Sequence, residues 1–244
     1  EKVGVSKAYS VVDYGLLESC VRDDLNASAP RAMAVLDPLK VIIDNYPEGQ
    51  TEYVEVDVHP EKPELGKAKI KFGKEIYVEK SDFMIEPVKK YFRLFPGNEV
   101  RLKSAYFVKC VGYDTDENGN VTCVHCTYDP ESRGGNSPDG RKVKGTLHWV
   151  SEADSFKAEV RLYDRLFNKE NPSDESAGAF TENLNPDSLI VLNDCLIEGG
   201  LKENLKVGDT FQFMRQGYFC VDITSTEDKV VFNRTVQLNS SWGK

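Results

Sequence analysis

The residues best suited to chemistry lie between Lys89 and Lys109, in KKYFRLFPGNEVRLKSAYFVK. Lys89, Lys90, Arg93, Arg101 and Lys103 supply cations, and Tyr91 and Phe92 stand among them. Cations meet phosphates and flat apolar rings meet unstacked bases, so this mixture suits a single-stranded nucleic acid. The stretch reads as a strand, a tight turn at Pro96-Gly97-Asn98 and a second strand. In the second strand Val100 and Leu102 face one way while Arg101 and Lys103 face the other, because side chains alternate. The same pattern also describes the solvated outer face of an ordinary barrel.

Cys123, His125 and Cys126 form a second group, CVHC. A structural zinc site wants another ligand pair at short spacing. Cys110, Cys195, Cys220, His59 and His148 are each isolated in the sequence. Positions three apart on a strand face opposite sides, so one β run does not present both sulfurs to one ion. No metal site is expected. No nucleophile motif accompanies the three histidines, and acid pairs such as Asp164 with Glu159 or Asp222 with Glu227 have no supporting pattern. No catalytic residue is expected either.

The elements that must position the basic stretch follow from periodicity. Residues 10 to 25 read as a helix, with Ser10 and Asp13 resembling a capping box and Tyr14, Leu17, Val21 and Leu25 at helical spacing. Pro30 and Pro38 bracket a second, short helix that places Arg31 in its first turn. A cation at the positive end of a helix serves something other than helix stability: it is aimed at a negative group or a base edge, or pairs with Asp23 or Asp24. From Leu39 the chain turns to short β runs, among them LKVIIDNY, YVEVDV, KAKIKF and EIYVEK. In KAKIKF, Ala68, Ile70 and Phe72 form one face and Lys67, Lys69 and Lys71 the other. Asn118-Gly119 between two β runs is a hairpin signal, and SRGGNSPDGRK reads as an exposed hairpin end. Residues 168 to 188, broken by Pro172 and Pro186, read as a linker. Many short strands with regular turns predict barrels or a sandwich.

Composition narrows the partners. The 244 residues carry a formal charge of -9, with 31 Lys and Arg against 40 Asp and Glu, so the protein is not basic throughout. The charge is segregated: residues 61 to 110 hold 12 basic and 7 acidic groups, and residues 168 to 210 hold 3 and 9. Segregation of this kind bears on partners more than the total does. No apolar run approaches the roughly 20 residues of a membrane span. The scattered cysteines suit a reduced, cytoplasmic setting rather than a disulfide framework. The first residue is Glu1, and the chain reads as a piece of a longer protein.

Longer blocks carry a resemblance. NASAPRAMAVLDPLKVIIDNY, FRLFPGNEVRLKSAYFVKC, CTYDPES, GRKVKGTLHWVS, AEVRLYDRLFNKENP, FQFMRQGYFCVD and VFNRTVQLNSSW resemble, in order, the C-terminal half of the glutaminyl-tRNA synthetase family, class I aminoacyl-tRNA synthetases. The likeness runs from about Leu16 to Trp242. It implies a mainly β fold: a short N-terminal helical segment, residues 1–38, followed by two β-barrels that grip the anticodon loop. The proximal barrel is expected over 39–87 plus 172–244 and the distal barrel over 88–171. The implied partners are glutamine tRNA, through its anticodon stem-loop, and the catalytic domain of the same chain, in a monomer. ATP with magnesium is implied only for the full-length enzyme, with no cofactor in this part. The HIGH and KMSKS-type signatures of the catalytic domain do not occur here, so this part is expected to be inactive alone.

Position by position, the resemblance gives Arg31 and Gln212 to the middle anticodon base, a uridine. Arg93 matches a reader of the third base, Arg101 and Lys103 match positions near the first, and Asn26 matches a residue close to the stem-loop. Lys103 stands where an Arg can occur, which turns a forked contact into a point charge. Met214 stands where some members carry an acid and receives no base contact. Glutamyl-tRNA synthetases of archaeal and eukaryotic type share the two-barrel plan. A stand-alone ribosomal RNA-binding β-barrel and a carbohydrate-binding or structural β module are the rivals from other classes.

Overall fold

Alternating burial marks several of the strands. The computed structural model describes residues 3–5, 7, 12–169, 171 and 178–239. Among them lie one α-helix and sixteen strands. The helix is α1 (Tyr14–Ser28). The first eight strands are β1 (Arg31–Ala32), β2 (Ala34–Val35), β3 (Pro38–Ile43), β4 (Thr51–Asp57), β5 (Lys67–Gly73), β6 (Glu75–Glu79), β7 (Glu99–Leu102) and β8 (Phe107–Thr115). The rest are β9 (Val121–Asp129), β10 (Thr146–Leu147), β11 (Val150–Ser151), β12 (Ser155–Tyr163), β13 (Leu189–Glu198), β14 (Thr210–Phe213), β15 (Gly217–Val221) and β16 (Val230–Val236). In β5, Ile70 and Phe72 are buried while Lys67 and Lys69 stand in solvent, as the alternation predicts. Gly119, at φ +81°, turns β8 into β9, and Asp116 Oδ1 accepts from the backbone N–H of Asn118 and of Asn120.

The protein is mainly β, with two barrel-like sheets, one nearly closed and one a half-barrel. The first sheet has the order β10-β7-β8-β9-β3-β6-β11, and the hairpin β4-β5 adds to its core. The second has the order β1-β14-β15-β16-β12-β13-β2. Each sheet is stitched by one short piece of chain that runs from one edge to the other. Two residues, His148 and Trp149, separate β10 from β11 at opposite edges of the first sheet. Met33 alone separates β1 from β2 in the second. Edges bound in this way leave fewer unpaired backbone groups to solvent. Trp149 and Met33 are both wholly buried.

This partition differs from the expected one. The sheets divide the chain into 38–151 and 31–35 plus 155–236, not 39–87 plus 172–244 and 88–171. The parallel pairing of β3 with β9 sets the division, with Lys40 opposite Cys123 and Ile43 opposite Cys126. That pairing joins segments about eighty residues apart and leaves no mark in local periodicity.

Two further expectations fail locally. The short helix between Pro30 and Pro38 is replaced by β1 and β2. Ala, Met and Leu favour a helix there, but the segment gains more as a strand buried on both faces. Met33 and Val35 enter the first core, and Ala32 and Ala34 enter the second. The expected strand before Pro96 is absent: residues 87–95 form turns and an isolated bridge between Phe83 and Leu94, with Lys90 at φ +69°. Helix α1 is capped by Asp13, whose Oδ1 accepts from Gly15 N at 2.6 Å; Ser10 lies outside the described residues. Leu25 packs with Tyr218 and Val236, but Tyr14 and Leu17 stay exposed. Of the expected linker, 168–169, 171 and 178–188 are described and include a short helical turn, Phe180–Asn183, while Pro172 falls outside.

Candidate nucleic-acid interface

Arg31 does not stand at the positive end of a helix. With no second helix there, its guanidinium turns back to the carbonyl end of α1. Nη1 donates to Ala29 O at 2.8 Å, and Nη2 donates to Asn26 O at 3.0 Å and Asn26 Oδ1 at 3.1 Å. A cation suits that end of the helix. Tyr218 Oη donates to the same Asn26 Oδ1 at 3.1 Å. His59 accepts from Glu61 N at Nδ1, so its Nε2 carries the proton donated to Asn26 O at 3.1 Å. Partial burial lowers the pKa of Arg31 without removing its charge.

The pairing of β1 with β14 places Gln212 directly beside Arg31 in register. Gln212 Oε1 is buried with no hydrogen-bond partner. An unsatisfied buried acceptor costs about 1–3 kcal/mol, so it marks a place where a donor is missing. Met214 packs against the first core.

Three residues beyond Gln212, Arg215 reaches across to the first sheet from a tight turn, at φ +67°. It forks onto Asp82, Nη1 to Oδ2 and Nη2 to Oδ1, both at 2.7 Å. Arg93 Nη1 meets Asp82 Oδ1 at 3.0 Å and donates to Ser81 O at 3.2 Å. Asp82 is fully buried, so one carboxylate holds two guanidiniums that each reach solvent. Behind them, Arg215 Nη1 donates to His148 Nδ1, His148 Nε2 donates to Glu79 Oε1, and Gln216 Nε2 donates to that same oxygen. A cavity of about 640 Å³ opens over this group, lined by Lys90, Tyr91, Phe92, Arg93, Thr146 and Arg215 among others. Burial, with help from Asp82, pushes the Tyr91 phenol up to about 12.

Arg101 is the register partner of Thr146, through the pairing of β7 with β10. Its guanidinium lies 5.4 Å from the Phe107 ring centre, and its Nε is buried without a partner. Arg141 lies on the same ring at 5.1 Å and is tied by Nε to Glu99 Oε2 at 2.9 Å and by Nη2 to Glu99 Oε1 at 3.0 Å. A second cavity, about 470 Å³, is lined by Arg101, Phe107, Arg141, Lys142 and Lys144. The Gly-rich loop read as an exposed hairpin end is thus folded onto Arg101. Gly135, at φ +83°, lies so close that a Cβ would meet Arg101 Cδ at 2.9 Å. Lys103 is exposed at the end of the strand, and its carbonyl accepts from Trp149 Nε1 at 3.0 Å.

The six expected residues therefore fall into three stations. Asn26, Arg31 and Gln212 form one; Arg93 belongs to the second; Arg101 and Lys103 belong to the third. Arg215, three residues along the chain from Gln212, leads from the first to the second, and Thr146, which lines the cavity with Arg93 and is the register partner of Arg101, lies between the second and the third. Gly145 sets the spacing there. A Cβ on it would lie 2.0 Å from Phe92 O, so Gly145→Ala must push residues 90–93 away from the segment that leads into β10. We expect a loss of about 1–3 kcal/mol in chemical denaturation together with weaker RNA binding. Wild-type stability in that variant would show that the segment is not held as described.

Comparison with known proteins bears on what such a surface contacts. Residues 29–129 match one family model and residues 146–222 a second, both described as tRNA synthetases class I (E and Q), anti-codon binding domain. The chain belongs to this family. Over its whole length it is 53% identical to a glutamine--tRNA ligase of Bradyrhizobium diazoefficiens and to another of Cupriavidus necator. A glutamine--tRNA ligase of Clostridium kluyveri is 49% identical over 98% of the chain. The chain spans 43%, 42% and 43% of these three relatives. Their names favour the glutaminyl over the glutamyl reading. Within this anticodon-binding domain, sequence reasoning missed Arg215, Asp82 and the Arg141–Lys144 group. An arginine in the hairpin MRQG and an acid in KSD carry no local signal; only folding brings them beside Arg93.

Proposed function

We propose that this anticodon-binding domain grips the anticodon stem-loop of glutamine tRNA and reads its bases. The observation that carries the reading is the register pair Arg31–Gln212, with Gln212 Oε1 buried and unpaired. A uridine edge offers an N–H donor and carbonyl acceptors, which fits an amide oxygen beside a guanidinium. A site built to pair a base edge rejects the base that leaves it unpaired. In this reading Arg31 and Gln212 take the middle base, Arg93 the third, Arg101 and Lys103 the first, and Asn26 holds Arg31 in place. Tyr91 and Phe92 offer faces for unstacked bases.

Activation of glutamine with ATP and magnesium, and its transfer to tRNA, are assigned to the portion of the relatives outside this span. The domain then binds without catalysing. In the full enzyme the exposed side of α1, with Tyr14 and Leu17, faces the catalytic portion of the same chain in a cytoplasmic monomer. Among the described residues no helix is long and apolar enough to cross a membrane.

The test is binding of glutamine tRNA transcripts with the normal and a middle-base-changed anticodon, at two salt concentrations. Preference for the normal anticodon at both salts is expected, with Arg93→Ala weakening binding by about 1–3 kcal/mol. Equal binding of both transcripts that collapses with salt would mean that only phosphates are sensed, and would sink the base-reading assignment.

A further inference from the structure

The CVHC motif has no part in the interface. Its two cysteines go opposite ways: Cys126 enters the first core beside Cys110, its partner across β8 and β9. Cys123 and His125, two apart on β9, share the other face. There Asp114 is the cross-strand partner of Cys123, and Gly112 is the partner of His125. Gly112 has no side chain, so the imidazole is free to lean along the strand. His125 Nε2 lies 3.0 Å from Asp114 Oδ2. On its far side Nδ1 meets Asp44 Oδ1 at 2.9 Å. One ligand atom each from Asp114, Cys123 and His125 lies within 4.8 Å of the other two.

We propose that Asp114, Cys123 and His125 form a binding site for one zinc-class divalent ion on the outer face of the first barrel. The donor set selects the ion: a sulfur, an imidazole nitrogen and a carboxylate oxygen suit zinc and cobalt better than magnesium or calcium. The spacing suits it too. An ion centred among three atoms up to 4.8 Å apart sits ~2.8 Å from each, and zinc bonds of about 2.0–2.3 Å need only small rotamer shifts. Asp44 completes the arrangement. A histidine ligand regularly donates its other N–H to a carboxylate, which fixes the ring and the tautomer, and Asp44 already occupies that position. On binding, the Cys123 thiol and His125 Nε2 each release a proton to solvent, Asp114 moves from His125 Nε2 to the ion, and solvent fills the fourth position. The ion would tie the end of β3, through Asp44, to β8 and β9. That adds a cross-link on the side of the barrel opposite its core, and it requires no RNA.

The test uses the whole chain, stripped with a chelator and titrated with cobalt(II) and then zinc(II). The expected result is a thiolate-to-cobalt charge-transfer band that saturates at one equivalent and is bleached by zinc. Cys123→Ser should abolish the band, and His125→Ala should weaken binding at least tenfold. Asp44→Ala should weaken it by about tenfold to a hundredfold while leaving the band in place. Circular dichroism of each variant checks that the fold is retained. Cys20 and Cys220 are the half-exposed thiols, more open to solvent than the buried Cys123, so Cys20→Ser and Cys220→Ser should leave the band unchanged. Absence of the band in the wild type, its persistence in Cys123→Ser, or its loss in Cys20→Ser or Cys220→Ser would overturn the proposal.

Discussion

Asp82→Ala is expected to destabilise the domain by about 3–5 kcal/mol, because it leaves Arg215 and Arg93 facing each other without their shared counter-ion. The carboxylate is fully buried and takes a forked contact from Arg215 as well as the ion pair with Arg93. Burial opposes the charge on Arg215, and the Asp82 contacts that follow raise its pKa above the ordinary value. Removing the acid leaves the burial and takes away the compensation. The loss also reaches across the molecule, since Arg215 follows β14 of the second sheet while Asp82 follows β6 of the first. A loss of this size lowers the melting temperature by roughly 6–20 °C in a chain of this length. Calorimetry of Asp82→Ala beside Arg215→Ala measures it. A melting temperature within about 2 °C of wild type for both would show that the network contributes little. In Asp82→Asn, which keeps shape and loses charge, Arg93 should be held less firmly. The proposed reading of the third base should then weaken more than that of the middle base.

How the interface is assembled shows which signals a sequence carries. The alternation in EVRLK places Val100 and Leu102 in the core and leaves Arg101 and Lys103 on the other face, because period two is a property of single strands. The Asn118-Gly119 turn is equally local. The pairing of Arg31 with Gln212 is not: it joins residues about 180 apart, and here the family resemblance supplied what periodicity could not. Arg31 also shows how a candidate residue can be reached through a wrong element. A helix after Pro30 would have aimed it outward from a positive end. The strand that forms instead lays it against the negative end of α1. Local propensity lost to the burial of Met33 and Val35 on one side and Ala32 and Ala34 on the other. Residues 87–95 failed for another reason. Their basic and aromatic groups lie on turns around a cavity, where no periodicity applies. The division between the sheets stayed hidden because β3 chooses β9 over its own neighbours in sequence.

Glu198 gives the second large effect, one that depends on pH. It ends β13 at the seam where Met33 passes between the two cores, and it is buried. Oε2 accepts from Met33 N at 2.8 Å. Burial pushes its pKa up to about 7; the Met33 contact opposes the rise and the charge of Asp154 adds to it. The folded state therefore keeps a proton between about pH 4.5 and 7 that the unfolded chain has already released. Stability from this group is fully present below the unfolded value and is lost as pH rises through the folded one. The loss is about 3 kcal/mol across the window, at roughly 1.4 kcal/mol per unit. Glu198→Gln keeps an acceptor for Met33 N and carries no titrating charge. It should therefore match the wild type near pH 5 and exceed its stability by about 3 kcal/mol at pH 8. Denaturant unfolding of both proteins at the two pH values isolates the effect, because every other titrating group cancels in the comparison. Parallel pH profiles for the two proteins would mean that Glu198 is ionised in the folded state and that the seam tolerates its charge.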